Sequence, residues 1–483
     1  MTTLPAPDSD AEFDLAVVGG TVVLASGAST TNVGVSGGVI AAIGTQPMRA
    51  RTTIDARGKL VLPGGVDSHC HIDQQPWQGR STADDFRSGT LAALCGGNTT
   101  IIPFAMQMRG QSLKEVVRDY HDRARSKAHI DYAFHLVIGD PTPHVLQHEL
   151  PELIEQGCTS IKLFLTYEGL KLDDYDVLNI LEIARREGLM IMVHAENDAC
   201  IRWLTERLLA QRKTQLKYHL VAHPAIAERE ATYRAISLAE LVDTPILIVH
   251  VSSASVVEEI RRAQARGLPV FAETCPHYLF LAGEHIDSGD FNGAKYICSP
   301  PPRARSNQPA MWEGILDGTL TVFSSDHSAW NYSDKMLEGP HTPFHRVPNG
   351  IPGIETRLPL LFSAARADNR LSLERFVEIT TTIPANLYGL YPRKGVIAVG
   401  SDADMAIWDA EKSVTIRNQA LHHAVDHTPY EGVEVKGWPI TITSRGEIVF
   451  AEGRPLSNSG RGRFLPCQRP FVPRTQASPS LEY

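Results

Sequence analysis

The chain has 483 residues, 43% of hydrophobic types and 21% charged, with a formal net charge of -9. That is the composition of an ordinary globular protein with ample length for a large core. The acidic balance and the lack of any run of Lys and Arg exclude a nucleic-acid or anionic-membrane footprint and point to a small-molecule partner.

The segment from Met1 to Phe13 is polar and acidic, without a basic or an apolar stretch of the kind that export signals carry. No apolar run reaches the roughly 18 residues of a membrane span. Seven cysteines (Cys70, Cys95, Cys158, Cys200, Cys275, Cys298 and Cys467) are scattered, odd in number and form no C-x-x-C. They read as reduced thiols of a cytoplasmic protein, not as a disulfide frame or a thiolate zinc site.

From Phe13 to about Leu60 the chain is rich in Val, Ile, Thr and Gly. Asp14–Leu24 and Gly34–Gly44 each read as a β-hairpin turning on a Gly-Gly pair, Gly19-Gly20 in the first and Gly37-Gly38 in the second. Residues 1–60 are therefore expected to supply part of a small β-sandwich. From 61 to 390 short apolar runs alternate with helix-period stretches. The runs are Thr99–Ile102, Ala133–Ile138, Ser160–Leu165, Met190–Val193, Pro245–Val249, Pro269–Ala272 and Thr321–Ser324, together with the one before His69. Helices are expected at Ala83–Leu94, Ser112–Ser126, Asp174–Glu187, Glu228–Leu241, Ser255–Ala265 and Gln308–Leu316. Eight strand–helix units of this kind predict an α/β fold, a (β/α)8 TIM-like barrel, more than an open doubly wound sheet. No G-x-G-x-x-G follows the first strand, which weakens a dinucleotide-binding reading. Strand character returns from 391 to 454 and is expected to complete the sandwich begun at the N-terminus. Residues 455–483, rich in Pro, Ser and Arg, read as an irregular arm.

One residue in the barrel region is out of place. Lys162 stands in the apolar run Ser160–Leu165, taken here to lie at its strand's end, where a bare ammonium is costly to bury. Its company gives it a role. His69 and His71 sit at i and i+2 on an extended segment and project to one side. His194, His250 and Asp326 each end a run of their own. In a barrel the C-terminal strand ends form a single mouth, so all six groups would converge there. Imidazoles and a carboxylate suit Zn2+, Mn2+ or Co2+. Four histidines and one aspartate fill one metal site and leave a second short. A carbamate formed from Lys162 and CO2 would add two anionic oxygens able to bridge two ions, and water held there would be acidified towards neutral pH.

The pattern resembles the dihydropyrimidinase/hydantoinase branch of the amidohydrolase superfamily, over roughly Phe13 to Gly453. His69-Cys70-His71 falls on the family's H-x-H. Ile161–Tyr167 looks like its carbamylated-lysine strand, and His194, His250 and Asp326 fall on the remaining ligands. Cys298-Ser299-Pro300-Pro301 and Pro348–Gly353 resemble its substrate-binding turns, and His422 to Gly432 its C-terminal signature.

The resemblance implies a homotetrameric cyclic amidohydrolase with two divalent ions, Zn2+ ahead of Mn2+ or Co2+, on a carboxylated Lys162. It implies that Tyr167 donates its phenol to a tetrahedral oxyanion and that Asp326 moves the proton to the departing ring nitrogen. Ser299 and Asn349 would hold the ring edge, largely through main-chain groups. The substrate expected is a hydantoin or 5,6-dihydropyrimidine, opened to an N-carbamoyl amino acid. The alternatives are another cyclic amide (an imide or dihydroorotate) and a non-enzymatic scaffold of the same fold, like the collapsin response mediator proteins. No arginine follows His71 closely, as a dihydroorotate carboxylate would want, and the filled ligand positions weigh against a scaffold.

Other residues read more plainly. Cys70 and His327 should face away from their ligand neighbours. Asp73 and Glu196 are candidates to orient ligand imidazoles. His277, His422, His423 and His427 read as structural. Trp77 and Phe104, placed in loops after the first two strands, either shape a pocket for a ring substituent or pack. The Ile72–Trp77 and Ile102–Met106 segments differ from the commoner hydantoinase versions, so the ring's identity is less legible than the chemistry.

Overall fold

A computed structural model describes residues 12–74, 80–367 and 369–470. Trp77, with the pocket role considered for it, and the end of the C-terminal arm from 471 onward lie outside the described residues.

Seven strands pair in chain order, each parallel to the next: Gly65–His71, Asn98–Met106, His135–Val137, Ser160–Phe164, Met190–His194, Ile246–Ile248 and Val270–Thr274. The eighth is interrupted. Val322–Phe323 pairs with the seventh, and His327–Ser328 pairs with the first, which closes the barrel. Asp326 occupies the break, with a φ of 46° that a regular strand does not allow.

Strand parity sorts the core. Ile161 and Leu163 belong to the cluster shared with the helices, together with Ile101, Leu136, Ile191, Val193, Ile246 and Ile248. Phe164 belongs instead to a second cluster with Val66, Ile102, Phe104, Val137, Met192 and Leu247, which fills the barrel interior. Lys162 has the parity of Phe164 and stands in register with Met192 and Val137. It is therefore the middle residue of its strand, not the end residue expected, and it points into the barrel's filling. Its four-carbon stem lets the amine reach the mouth from there.

The barrel helices follow their end signals. Asp174–Glu187 starts on Asp173, whose carboxylate accepts the Asp176 N–H, and stops at Gly188 with φ 71°. Gln308–Leu316 also runs as expected. The helix expected at Ser112–Ser126 spans Leu113–Arg125, with those two serines as its caps. Among the described residues no helix is long and apolar enough to cross a membrane.

Strands from both chain ends join one nine-stranded mixed sheet. Met405–Thr415 pairs antiparallel with Leu60–Pro63, which pairs with Phe13–Leu24. Its apolar face gathers Leu15, Val22, Val33, Val35, Val61, Met405 and Ile407. The two Gly-Gly pairs behave differently. Gly37 and Gly38, both at positive φ, make the two-residue turn between Gly27–Ser36 and Val39–Gly44. Gly19-Gly20 makes no turn: Phe13–Leu24 is one strand with a bulge there, and the chain reverses at Ala25-Ser26. The bulge lets one strand pair with Ala50–Asp55 along its first half and Leu60–Pro63 along its second.

The described part of the arm is irregular but docked. Leu465 donates its N–H to Tyr132, Cys467 to Gly157 and Gln468 to Gly389. Leu465 and Cys467 are buried in the barrel-interior cluster.

Candidate active site

His69, His71, Lys162, His194, His250 and Asp326 all line a cavity of about 200 Å³, together with Tyr167, Ser299 and Asn349. Different elements bring them there. The first strand presents His69 and His71, while Cys70 between them is buried in the outer core. His194 ends the fifth strand, and His250 follows the sixth by two residues. Tyr167, His250 and Asp326 all have positive φ, at 72°, 39° and 46°. Such backbone costs of order 1–3 kcal/mol at each non-glycine residue and persists where packing over-determines it.

Two groups of ligand atoms converge. Asp326 Oδ1 lies 3.1 Å from His69 Nε2 and 3.2 Å from His71 Nε2. His69 Nε2 is buried without a hydrogen-bond partner, so it meets the carboxylate at close range off the angle of a hydrogen bond. His194 Nδ1 and His250 Nε2 face each other at 2.9 Å. The far nitrogens of two of these rings are held by buried carboxylates: His69 Nδ1 by Glu273 at 2.6 Å and His194 Nε2 by Glu196 at 2.9 Å. Rings whose outer nitrogens are fixed by carboxylates, with inner nitrogens converging on a shared point, have the form of metal-binding imidazoles. The residues present therefore fit a divalent-metal centre.

Lys162 completes the geometry without a charge partner. Its amine sits 5.0 Å from the Phe104 ring centre and 5.2 Å from that of Phe164, and it makes no ion pair among the described residues. Burial pushes its pKa down to about 8, although Glu273 and Asp326 pull the other way. The neutral amine, the form able to add CO2, is then accessible near neutral pH. Asp326 is buried, but His69, His71 and His250 hold its carboxyl well below the ordinary range. Burial, reinforced by Glu196, pushes the Tyr167 phenol up, so it remains a proton donor.

The turns opposite the ligands carry the polar edge. Ser299 Oγ donates to Glu196 Oε2 at 2.5 Å, which ties this turn to the ring of His194. Asn349 Oδ1 is buried without a hydrogen-bond partner among the described residues, and Trp330 Nε1 donates to the Asn349 carbonyl at 3.0 Å.

Several residues depart from expectation. Phe104 lies within the second strand, not in a loop, and its ring packs under His69 and His71 at 4.8 and 5.0 Å. It is a floor for the histidines instead of a substituent pocket. Asp73 orients no imidazole; it pairs with Arg123 and Lys127. Glu196 does take the place considered for it. His327 is buried, bonded to Asp84 and to the N–H groups of Gly353 and Ile354. His422 pairs with Glu355, His423 with Asn418 and His427 with Asp426, all outside the cavity lining. Glu273 was not singled out from the sequence: a carboxylate after the apolar run Pro269–Ala272 does not say which imidazole it will meet.

With this geometry in view, the comparisons are consistent. The amidohydrolase family model matches residues 60–449. The D-hydantoinase of Ralstonia pickettii is 41% identical over 454 residues, covering 94% of this chain and 98% of that one. The D-hydantoinase of Rhizobium radiobacter is 41% identical over 453 residues, with the same coverage. The crystal structure of the dihydropyrimidinase from Brevibacillus agri NCHU1002 superposes with a TM-score of 0.92 at 40% identity, covering 95% of this chain and 99% of that chain. The chain belongs to the amidohydrolase family, in its hydantoinase/dihydropyrimidinase branch.

Proposed function

We propose that this cyclic amidohydrolase opens a hydantoin or 5,6-dihydropyrimidine ring to an N-carbamoyl amino acid, at a centre where a carboxylated Lys162 would help the histidines and Asp326 to hold two divalent ions. The names of its relatives, D-hydantoinases and a dihydropyrimidinase, support the ring class. The observation that carries the reading is the convergence of the six ligand residues on one cavity that Tyr167 and Asn349 also line.

His69, His71 and Asp326 would hold one ion, His194 and His250 the other, with Zn2+ the ion of choice and Mn2+ or Co2+ able to stand in. When bound, such ions polarise a carbonyl and acidify water. The protein's own groups do the rest. Asp326, ionised and against the ligand rings, accepts the proton of the attacking water at a carboxylate oxygen and returns it to the departing ring nitrogen. Tyr167, protonated and held on a constrained backbone, donates its phenolic hydrogen to the carbonyl oxygen as negative charge builds there. Asn349 Oδ1, buried and unpartnered, accepts from a ring N–H. Ser299, its hydroxyl committed to Glu196, serves through its main chain.

Imide and dihydroorotate rings are the second reading. Among the described residues lining the cavity there is no arginine to take a dihydroorotate carboxylate, which favours the uncharged rings. The same reading takes the chain to be a cytoplasmic homotetramer, on the strength of the family resemblance and of cysteines that all remain free thiols.

The test is a ring-opening assay of the metal-loaded protein on hydantoin, 5-substituted hydantoins, dihydrouracil, succinimide and dihydroorotate. Turnover of the cyclic ureides is expected to exceed that of the imide and of dihydroorotate. No turnover of any ring would overturn the reading.

A further inference from the structure

Lys335 ends the short helix Tyr332–Lys335 and is fully buried, although it lies outside the catalytic cavity. Among the described residues it has no carboxylate partner; the amine donates instead to three main-chain carbonyls. These are Ile297 at 3.3 Å, Pro348 at 2.9 Å and Gly350 at 3.0 Å. An ammonium has three donors, and here each has an acceptor.

The acceptors are not scattered. Ile297 immediately precedes Cys298-Ser299, while Pro348 and Gly350 flank Asn349. Cys298, Ser299, Asn349 and Gly350 all line the cavity. The Gly350 N–H also donates to the Ile297 carbonyl at 3.0 Å, so the two turns are bonded directly as well as through the amine. Gly350 has φ 146°, and a Cβ there would stand 2.5 Å from the Ser328 carbonyl oxygen, so only glycine fits this turn in its present path. A trans peptide unit is planar, with its C=O and N–H opposed. Drawing the carbonyls of Ile297 and Pro348 towards Lys335 therefore turns the N–H groups of Cys298 and Asn349 away from it.

We infer that Lys335 is a positioning residue for substrate: one buried amine clamps the Cys298-Ser299 and Asn349-Gly350 turns in the orientation that presents their main-chain groups to a planar cyclic amide. This rests on the reading of those turns as the substrate edge. The choice of an amine follows from the task. A neutral amide side chain offers two donors, whereas three convergent carbonyls need three. Burial pushes the amine down to about 7, so the three carbonyls are the polar contacts that offset its loss of water.

The experiment compares metal-loaded native protein with Lys335→Met, Lys335→Gln and Lys335→Arg on the fastest ring of the panel above, with metal content measured for each. For Lys335→Met the expected result is a KM raised at least about tenfold with kcat changed less than about threefold and native metal content. Lys335→Arg, which keeps its donors, should recover part of the loss. An unchanged KM, or a fall in kcat alone, would overturn the inference, and so would failure of all three variants to fold, which would make Lys335 a residue of stability only. A native chain that opens no ring overturns the functional reading and this one with it; ring opening beside an unaltered Lys335→Met variant overturns this one alone.

Discussion

Lys162 in the barrel and Lys394 at the seam between barrel and mixed sheet are buried to nearly the same degree, at 1% and 2% exposure. Their surroundings are opposite. Lys394 Nζ lies 2.8 Å from Asp131, 2.7 Å from Asp404 and 3.0 Å from Asp402, and Arg445 also pairs with Asp131. Burial alone would lower the Lys394 pKa, but the three carboxylates outweigh it and raise it. Lys162 has two aromatic rings and, among the described residues, no carboxylate at contact distance, and its pKa falls. A buried cation whose partners are already in place ties two parts of the fold together. One lacking them is where the proposed carboxylation would supply the missing charge.

The largest expected effect breaks the barrel side of this comparison. Lys162→Ala should lose more than about a thousandfold in ring-opening activity and retain less than two metals per chain, because the proposed carboxylated side chain can no longer form. Short-chain carboxylic acids added to the variant should restore part of both; full activity with two metals retained would refute the bridging role. The companion variant Lys162→Met, stripped of metal, should be at least as stable as the stripped native chain in denaturant unfolding, since it removes an uncompensated ammonium.

The seam should answer in the opposite sense. Lys394→Met leaves three carboxylates facing one another and should destabilise the chain by about 3–5 kcal/mol. The kcat and KM of the folded fraction should not move. A stable Lys394→Met protein would show that the seam network contributes little.

The smallest effect concerns pH. Lys394 and Arg445 hold the Asp131 carboxyl below its ordinary range, against its burial. Folded Asp131 thus binds its proton less readily than unfolded Asp131. The stability it contributes is present above the unfolded pKa of about 3.9 and is lost as pH falls through the lower folded value. Asp131→Asn should therefore show a shallower loss of stability on acidification than the native chain. The difference is about 1.4 kcal/mol for every tenfold by which folding weakens proton binding at Asp131. Parallel acid limbs would sink the assignment.

Elements that carry their own end signals were legible, as Asp174–Glu187 between Asp173 and Gly188 shows. The helix Asp198–Ala210 was not singled out although Asn197 caps it and Ile201, Leu204 and Leu208 recur at helical spacing; only Leu208 on it is buried, so it adds little to the core. Of the two Gly-Gly pairs, Gly37-Gly38 turns the chain and Gly19-Gly20 only bulges it. The difference lies in which strands stand beside each pair, and those come from other parts of the chain.

The amino-acid sequence by itself determined the barrel, the involvement of both chain ends in a second sheet, and the set of residues whose types suit a metal centre. Each of these is written locally, in apolar period, in turn residues and in the chemistry of His, Asp and an out-of-place Lys. Only the tertiary structure decided that Lys162 stands mid-strand and reaches the mouth by its length. It alone decided that Glu273 holds His69 across 204 residues of chain and that Lys335 gathers three carbonyls. The last two share a physical reason. Carbonyl acceptors occur at every residue, and a carboxylate's partner is whatever the closed barrel sets within 3 Å of it. Neither leaves a mark that neighbouring residues reveal.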